Sequence, residues 1–590
     1  MKKYYFLGFI SILFVMISCQ TQPQNEGPYV QVVVPAGVTA YYISSKGDDR
    51  NDGLSEERPW RTIEPLNYIR TFGPGTWILF RGGDRFQGGL LLTMKGSAEA
   101  PCLISSYGNG KAEITDHMIE ALPLIALDDS EYITVSNLKI TGAPGKNYPG
   151  PRFRPGNRYV EGLKIYKSDH VDRYFESITV DNVEFRNSCE GLWIGPVAYQ
   201  NFKAFSHIRV TNCLFDSIYQ FGVRVIGYNP LREGPVDQFM DVYFGDNVFV
   251  NIKGDPHYRS EAQAISLFNT TGCVIERNLL VDNCGEGGKS AGIPYGGSAG
   301  LCVNQVRNFK IQYNVITGTD CWSALDGCAI DADQDSRDGE IAFNLTYMNN
   351  GPGIMTGSWG GKSNGNIDIH HNISINDARG CAPGTNQGAL YIWGWDDKSV
   401  DDVRIFNNTI YVDKNGINPG TKPSCITIGD HAVNLSVFNN IFKTTGDVIV
   451  VNAKESGGIQ NSNKFFNNIY DPSGDDNEFT ISNYDLLNRK YAGIWGLEEW
   501  RAIGQEILDG VEKGMVADAG LGSLALFDPK GTYLPREIEQ FAYAELSSDS
   551  PAIGMAIDPW PYAAADVTKK DFHGNTAPIV NIGACNTNVN

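Results

Sequence analysis

The sequence predicts an all-β protein that folds as a right-handed parallel β-helix, and three observations support this prediction. The composition has 65 Gly, 28 Tyr and 28 Phe beside only 20% charged residues, which favours strands and tight turns over helical bundles. A β-branched or aromatic run that ends in Asn recurs along the chain, and a second short apolar run follows each of these Asn residues. A third run, often introduced by Gly, follows after a loop of variable length.

The repeated Asn residues define the length of one repeat. They are Asn137, Asn182, Asn212, Asn247, Asn278, Asn314, Asn344, Asn372, Asn408, Asn440 and Asn468. Nine of the ten intervals between them lie between 28 and 36 residues. Three short strands and one stacked Asn per repeat predict a single-stranded solenoid of about 10–12 coils. A β-propeller is the competing repeat fold, but its blades of ~40–45 residues contain four hairpin-linked strands and fit this pattern less well.

The N-terminal segment is predicted to be a targeting signal rather than part of the fold. Lys2 and Lys3 precede an apolar run at 4–17, which is too short to span a bilayer. The run ends in MISC (16–19), which resembles the lipobox of bacterial lipoprotein signal peptides, with Met where Leu is usual. This resemblance implies a lipid on Cys19 and a location in the bacterial cell envelope. The alternative is an ordinary cleaved signal with an incidental Cys.

The two ends of the repeat array also resemble known segments. The stretches at 41–63 and 74–90 resemble the capping start of bacterial β-helix proteins that act on polysaccharides, and those at 548–556 and 571–584 resemble their closing segment. One convincing helical stretch is found at 484–514. The predicted order is a signal peptide at 1–19, a flexible tether at 20–39, a cap with the first coils at 40–130, the β-helix core at 131–475, and C-terminal coils with a helical excursion and a closing segment at 476–590.

The charge balance restricts the class of partner. The chain has 48 Lys and Arg against 68 Asp and Glu, a formal net charge of −20. Nucleic-acid binding needs a basic footprint, so we expect no nucleic-acid partner. Membrane contact is expected only through the N-terminal lipid, and a neutral oligosaccharide or polysaccharide is compatible with this charge. We expect a monomer.

Eleven cysteines remain after Cys19, without zinc-ligand spacing, and are predicted to be mostly buried core thiols, with room for one or two disulfides.

The candidate catalytic residues lie in the run CAIDADQD (328–335). Strand alternation places Ile330 and Ala332 inward, and therefore Asp331 and Asp333 outward, with Asp335 at the end of that face. Three close carboxylates repel one another, which favours either cation binding or a shared proton between groups with separated pKa values. The alternative is an acidic turn that is simply solvated.

The surrounding segment at 324–344 resembles a recurrent rung of the same β-helix family, with an approximate pattern of GFDSDxGxRNT. Asp331, Asp333 and Arg337 fall on matching positions, whereas the following stretch at 347–355 departs from the family. Neighbouring coils offer polar and indole side chains that we predict to bind substrate beside Arg337. These are Asn304, Arg307, Glu261, Trp359, Trp393 and Trp395, with Arg224 and Trp193 extending the groove.

The resemblance leaves three function classes open. A glycoside hydrolase is favoured, with Asp331 and Asp333 as the catalytic carboxylates, Asp335 tuning them and Arg337 orienting the sugar, and without a cofactor. A polysaccharide lyase is the first alternative, in which Asp331, Asp333 and Asp335 hold Ca²⁺ and a basic residue abstracts a proton from a uronate. A non-catalytic, glycan-binding β-helix is the second alternative.

Overall fold

The computed structural model shows a parallel β-helix, which confirms the predicted fold class. The residues described are 31–115, 123–142, 161–197, 202–227, 237–254, 261–286, 297–321, 326–359, 362–380, 387–395, 398–418, 421, 423–445, 448–454, 462–472, 481–485, 490–564, 566–576 and 578–586. Cys19 and the tether segment before residue 31 therefore lie outside the described residues. No helix within the described ranges is both long and apolar enough to cross a bilayer.

Parallel pairing links each strand to the equivalent strand one coil further on, so the strands form three stacks. Each coil contributes one strand to each stack. The first stack carries the acidic run. Its strands are Thr71–Phe72, Leu90–Met94, Ile125–Asp128, Leu163–Lys167, Glu190–Pro196, Phe221–Val225, the first half of Gln263–Glu276, the first half of Ala299–Gln312, Cys328–Ala332, Ile354–Ser358, Gly388–Gly394, Ser424–Ile428, Ile449–Lys454 and Ile481–Asp485.

The second stack follows the first within each coil. Its strands are Thr39–Ile43, Thr76–Arg81, Cys102–Tyr107, Ile133–Ser136, Phe175–Asp181, Phe205–Thr211, Phe239–Gly245, the second halves of Gln263–Glu276 and Ala299–Gln312, Arg337–Ala342, Asn364–His370, Val400–Phe406, Ala432–Val433, Ser436–Phe438 and Lys464–Phe466. The two long strands therefore serve both stacks without an interruption.

The third stack is a separate 14-stranded parallel sheet. Its strands are Arg85–Gln87, Ala112–Thr115, Leu138–Thr141, Glu184–Arg186, Leu214–Asp216, Val248–Val250, Leu279–Val281, Val315–Thr317, Leu345–Tyr347, Ile373–Ile375, Thr409–Val412, Ile441–Thr444, Ile469–Pro472 and Met515–Val516. Inward side chains from all three stacks form one continuous apolar core along the axis of the helix.

An asparagine ladder joins the second and third stacks. Its members are Asn247, Asn278, Asn314, Asn344, Asn372, Asn408, Asn440 and Asn468. From Asn278 onward, each Oδ1 accepts the backbone N–H and the side-chain amide of the Asn one coil before it, at 2.9–3.1 Å. The predicted stacking is confirmed over these eight residues.

The prediction that the first three Asn residues belong to the same column was wrong. Asn137, Asn182 and Asn212 have φ of 54°, 54° and 53°, and each takes the left-handed position one residue before the ladder. Cys213 occupies the ladder position instead, and its backbone N–H donates to Asn247 Oδ1 at 3.0 Å. The sequence pattern could not separate the two positions because Asn suits both a left-handed bend and a buried amide ladder.

The C-terminal part differs from the predicted helical excursion. Strands Ile481–Asp485 and Lys490–Trp495 form an antiparallel pair, and the helix spans only Leu497–Ala502. Two further short strands, Ile507–Leu508 and Val511–Glu512, pair with each other. The remaining helical elements are the helix Glu64–Ile69 in the N-terminal cap and the 3₁₀ turns Gly522–Leu526 and Pro535–Gln540.

The final segment packs along the flank of the β-helix. Tyr347 of the third stack contacts the rings of Phe527 and Tyr533, and its hydroxyl donates to the Gly531 carbonyl at 2.7 Å. A second apolar cluster forms there between outward third-stack residues and the segment after 517. This segment therefore covers the outer side of the third stack and leaves the face of the first stack to the acidic run.

Candidate functional site

The acidic run lies in the first stack, on the outer face of its strand. Ile330 and Ala332 belong to the inner core, so the alternation of the strand turns Asp331 and Asp333 outward, as predicted. The strand register places Asp331 between Cys302 of the coil before and Met355 of the coil after. This outer face is therefore the surface on which the chemistry of the site is arranged.

The two carboxyl groups come together in a nearly closed site. One oxygen from each of Asp331 and Asp333 and the Sγ atom of Cys302 all lie within 4.8 Å of one another. The side chains of Asp331 and Asp333 are 6% and 9% exposed. Two carboxyl groups this close and this poorly hydrated cannot both ionise freely, because burial and like charge both oppose the second ionisation.

Asp333 is the better supported of the two as an ionised carboxylate. Its Oδ2 accepts the indole N–H of Trp359 at 2.9 Å and the amide N–H of Asn304 at 3.1 Å. Oδ1 of Asp331 is buried and has no hydrogen-bond partner among the described residues. The predicted residues Asn304 and Trp359 therefore contact the acidic pair directly, through one of its two members.

The proton affinities follow from these surroundings. Burial raises the pKa of Asp331 well above its usual range, and the adjacent charge of Asp333 raises it further. Burial raises the pKa of Asp333 to about 6, while the hydrogen bonds from Trp359 and Asn304 oppose the increase. The shared proton is therefore assigned to Asp331, which leaves Asp333 as the anion.

Asp335 does not continue the outer face, contrary to the prediction. The strand ends at Ala332, and Asp335 adopts a left-handed conformation with φ of 55° in the turn that follows. Its carboxylate pairs with the guanidinium of Arg307, and Lys362 Nζ lies 3.8 Å away. The parallel pairing continues through Asp333, whose backbone N–H donates to the Val303 carbonyl at 2.8 Å, but the left-handed turn at Asp335 ends the alternation, so the rule gave the wrong direction for Asp335.

Arg337 begins the strand of the second stack after this turn. One of its guanidinium nitrogens donates to the Ser363 carbonyl at 3.1 Å. Arg307 and Arg337 are register partners on neighbouring coils. These two predicted residues thus lie on neighbouring strands of the second stack, close to the turn that holds Asp335, rather than at the Asp331–Asp333 pair.

The predicted tryptophans occupy different environments. Trp393 stacks on Tyr391 with ring centroids 6.1 Å apart, and both join an outer apolar cluster with Met355 and Cys302. Trp395 is 63% exposed just beyond the end of the same strand. The outer face therefore carries an apolar surface beside Asp331, on the C-terminal side of the acidic pair.

Polar residues continue the outer row on the N-terminal side. The register aligns Trp193, Arg224 and Ser266 in one row that leads to Cys302 and Asp331. Coils are spaced by ~4.8 Å, so Arg224 lies roughly 14 Å from Asp331 along this row. The row is long enough for several sugar units. Whether the predicted residues bind substrate stays a prediction.

Arg224 itself is nearly buried. Its guanidinium lies 3.6 Å from a Glu190 carboxylate oxygen and packs over the Phe221 ring at 4.0 Å from the centroid. Further along the row, Ser266 Oγ is buried without a hydrogen-bond partner in the part of the chain that is described. This face therefore presents hydrogen-bonding atoms that are already withdrawn from bulk water.

Two residues of the site were missed by the sequence analysis. Cys302 was predicted to be a core thiol, but the inward positions of Leu301 and Val303 turn it outward, beside the aspartates. Alternation in GLCVNQ was the signal that could have found it. Asp326 is the second residue. Burial raises its pKa, and the nearby charge of Glu261 raises it further. The charge of Asp326 in turn helps to raise the pKa values of Asp331 and Asp333.

The cysteines otherwise follow the prediction of buried thiols. The free and buried ones among the described residues are Cys102, Cys213, Cys273, Cys284, Cys302, Cys328, Cys425 and Cys585. Cys321 is disulfide-bonded to a partner outside the described residues. Cys328 joins Cys302 in the outer apolar cluster.

Comparison with known proteins places this fold in context. No family model matches the chain. A lacto-N-biosidase of Bifidobacterium longum subsp. longum is 24% identical over 457 residues, which cover 63% of this chain and 28% of that protein. The chain thus spans about a quarter of the length of this curated relative.

Similar solved structures were also found. A GH136 lacto-N-biosidase from Eubacterium ramulus has 19% identity and a TM-score of 0.45, and the match covers 66% of this chain and 67% of that one. An alginate lyase from Paenibacillus sp. has 15% identity and a TM-score of 0.33 and covers 53% of this chain and 93% of that one. The chain is a parallel β-helix protein with detectable sequence similarity to a lacto-N-biosidase.

Proposed function

We propose that the chain is a glycoside hydrolase that binds an oligosaccharide or polysaccharide along the outer face of the first stack. The observation that carries this proposal is the buried pair of Asp331 and Asp333, whose two carboxyl groups have raised and unequal pKa values. The sequence similarity to a lacto-N-biosidase supports the same class of reaction. Lacto-N-biosides are therefore the first substrates to assay.

Unequal proton affinities assign two roles. Asp331, protonated, donates its proton to the glycosidic oxygen as the bond to the leaving sugar breaks. Asp333, ionised and held by Trp359 and Asn304, attacks the anomeric carbon and forms a glycosyl ester. Asp331, now ionised, then takes a proton from a water molecule as that water attacks the anomeric carbon. This attack breaks the bond to Asp333, releases the sugar and leaves Asp331 protonated again.

The separation of the carboxyl groups favours retention of configuration. One oxygen of each lies within 4.8 Å of the other. Retaining glycosidases hold their carboxyl groups ~5–5.5 Å apart, whereas inverting enzymes need ~6.5–9.5 Å to admit a water molecule. Asp331 and Asp333 are therefore closer to the retaining arrangement.

The test uses an aryl lacto-N-bioside and a panel of oligosaccharides. We expect Asp331→Asn and Asp333→Asn each to lower kcat by roughly 10²–10⁴-fold, because each removes one half of the acid and nucleophile pair. Asp338→Asn is the matched control, since Asp338 is exposed on the next strand and bonds only to Asn366 among the contacts described. Proton NMR of the first product should show the anomeric configuration of the substrate.

Two outcomes would redirect the assignment. Wild-type rates in both Asn variants would show that this pair does not catalyse the reaction. An unsaturated uronate product, with activity that disappears in EDTA and returns with Ca²⁺, would support the lyase alternative. The lyase alternative also needs Asp335 beside the other two aspartates, whereas Asp335 is paired with Arg307.

We also propose that the mature chain is anchored to a membrane of the bacterial cell envelope by a lipid on Cys19. The support is the MISC (16–19) motif after a short apolar run. Cys19→Ala should move the protein from the membrane fraction to the soluble fraction. Unchanged membrane retention would contradict lipidation at this residue.

A further inference from the structure

The acidic pair is accompanied by a thiol that the proposed reaction does not use. Cys302 is a free cysteine, 3% exposed, and the register places it directly beside Asp331 on the preceding coil. Its Sγ atom and one oxygen from each of Asp331 and Asp333 lie within 4.8 Å of one another. Hydrolysis needs two carboxyl groups, so a sulfur atom at this place requires a separate explanation.

The donor set selects one class of cation. Ca²⁺ and Mg²⁺ take oxygen ligands only, whereas Zn²⁺ accepts thiolate at ~2.3 Å and carboxylate oxygen at ~2.0–2.2 Å. One sulfur and two carboxylate oxygens are three of the four ligands of a tetrahedral zinc site, and the fourth position stays open for water. Donor atoms that already lie within 4.8 Å need only small side-chain rotations to reach a common ion.

A neighbouring amide supplies an independent indication of a missing ligand. Asn304 is 2% exposed, and its side-chain nitrogen donates to Asp333 Oδ2 at 3.1 Å. The carboxamide oxygen of Asn304 is buried at the same cluster and has no hydrogen-bond partner among the described residues, and the same is true of Asp331 Oδ1. Buried polar atoms are nearly always satisfied, so two orphaned oxygens at one place indicate a bound species.

We infer that Cys302, Asp331 and Asp333 form a site for a thiophilic divalent cation such as Zn²⁺, with Asn304 beside the open position, and that this cation competes with the glycan. The second part of this inference rests on the proposed hydrolase function. A cation held by both carboxylates removes the protonated acid and blocks the nucleophile at the same time. Zn²⁺ therefore inhibits hydrolysis reversibly, and a chelator restores it.

Metal binding is measured first, without any glycan. The full, tag-free chain is stripped with a chelator and titrated with Zn²⁺ in competition with a chromogenic chelator, and with Cd²⁺ to observe the ultraviolet thiolate-to-metal charge-transfer band. We expect one ion per chain at this site and a charge-transfer band in the wild type. Cys302→Ala should abolish the band and weaken Zn²⁺ binding by at least roughly 10–100-fold, the loss typical even of residues that only support a ligand. Asp331→Asn should weaken Zn²⁺ binding comparably and provides a second variant if Cys302→Ala does not fold.

Cys273→Ala is the matched control. It also removes a free, buried thiol, but Cys273 lies in the inner core. Cys273 is on the same long strand as Ser266, the register partner of Cys302, and lies seven residues after it. Its Zn²⁺ affinity and charge-transfer band should equal those of the wild type. The absence of saturable binding, or equal binding in Cys302→Ala and the wild type, would overturn the metal site.

Competition is measured second, as the ratio of hydrolysis rates with and without Zn²⁺ in each variant. We expect Zn²⁺ to raise the apparent KM for the aryl lacto-N-bioside in the wild type and in Cys273→Ala, with a much smaller effect in Cys302→Ala. Zn²⁺ binding without competition would overturn the shared site while leaving the metal site intact. Zn²⁺ binding as expected, in a chain that cleaves no glycan, would refute the proposed hydrolase function alone.

Discussion

Two aspartates two residues apart on one strand differ in proton affinity because they have different neighbours. Asp333 receives two N–H donors, from Trp359 and Asn304, which stabilise its anion. Asp331 faces Cys302 and Met355 in its row, and its pKa is raised well above the usual range by burial. In the proposed mechanism, the difference between the acid and the nucleophile is therefore produced by side chains from other coils.

Trp359 gives the sharpest test of this difference. Trp359→Phe keeps an aromatic ring but removes the N–H donor to the ionised Asp333, so the pKa of Asp333 should rise further above 6. A hydrogen bond to a charged group is worth ~1.5–3 kcal/mol, which corresponds to roughly one to two pH units. The acidic limb of the kcat/KM profile should move to higher pH by that amount, because a higher pH is then needed to ionise the nucleophile.

Trp395→Phe is the control for this measurement. Trp395 is exposed and donates no described side-chain hydrogen bond to the aspartates, so its substitution should leave the acidic limb at the same pH whatever it does to the rate. An unchanged acidic limb in Trp359→Phe would show that Trp359 does not set the proton affinity of Asp333.

The sequence predicted the positions of Asp331 and Asp333 because strand alternation is a local rule. It did not predict that Asp335 would turn away, since the rule fails in the left-handed turn that follows Asp333. It also did not predict that Trp359 would donate a hydrogen bond to Asp333, because the path of a loop depends on contacts with other coils. Residue type thus identified these side chains as candidates for the site, and tertiary packing determined which contacts each of them makes.

At the scale of one element, the asparagine ladder connects neighbouring coils through buried amides. Asn314 donates to the carbonyls of Ile275 and Gln312, and its Oδ1 accepts two N–H groups of Asn278. All of these groups are buried or nearly so, and removal of the Asn314 side chain would take one hydrogen-bond partner away from each of them. The repeat interval was visible in the sequence because each coil from Asn247 to Asn468 places such a group at this corner.

Asn314→Ala should therefore destabilise the protein strongly, by several kcal/mol, since each buried polar group left without a partner costs ~1–3 kcal/mol. Asn212→Ala tests the other role of Asn, because Asn212 has φ of 53° and lies outside the ladder. Its cost should come from placing Ala in a left-handed conformation, on the order of 1–2 kcal/mol, and from losing one partly exposed hydrogen bond to Asp181 Oδ1. Thermal unfolding of both variants measures the difference, and equal losses would contradict the separation of the two roles.

At the scale of the whole molecule, a solenoid has to close both of its ends. At the C-terminal end, the last ladder residue, Asn468, has no following Asn to bond with. Glu506 takes that place: its Oε1 accepts the Asn468 side-chain amide at 2.8 Å and the Tyr470 hydroxyl at 2.6 Å. The predicted helical stretch around this residue thus contains the terminating group of the ladder. The repeat pattern could not reveal it because Glu506 breaks that pattern.

This carboxyl group makes the stability of the end sensitive to pH. Burial raises the pKa of Glu506 to about 7, although the hydrogen bonds from Asn468 and Tyr470 oppose the increase. In the unfolded chain a Glu has a pKa of ~4.3, so between about pH 4.3 and pH 7 the folded protein binds more protons than the unfolded one. Stability therefore falls as the pH rises through this window, by ~4 kcal/mol in total, and the loss is complete above pH ~7.

Glu506→Gln should remove this dependence. A Gln oxygen can still accept from Asn468 and Tyr470, while its neutral amide no longer titrates, so the end of the ladder stays closed at every pH. We expect the melting temperature of the wild type to fall more than that of Glu506→Gln between about pH 5 and about pH 8. Glu537→Gln, at an exposed site on a 3₁₀ turn, should retain the wild-type pH dependence. If Glu506→Gln and the wild type lose the same stability over this range, the buried carboxyl group is not the source of the effect, and the ladder ends without a titratable group.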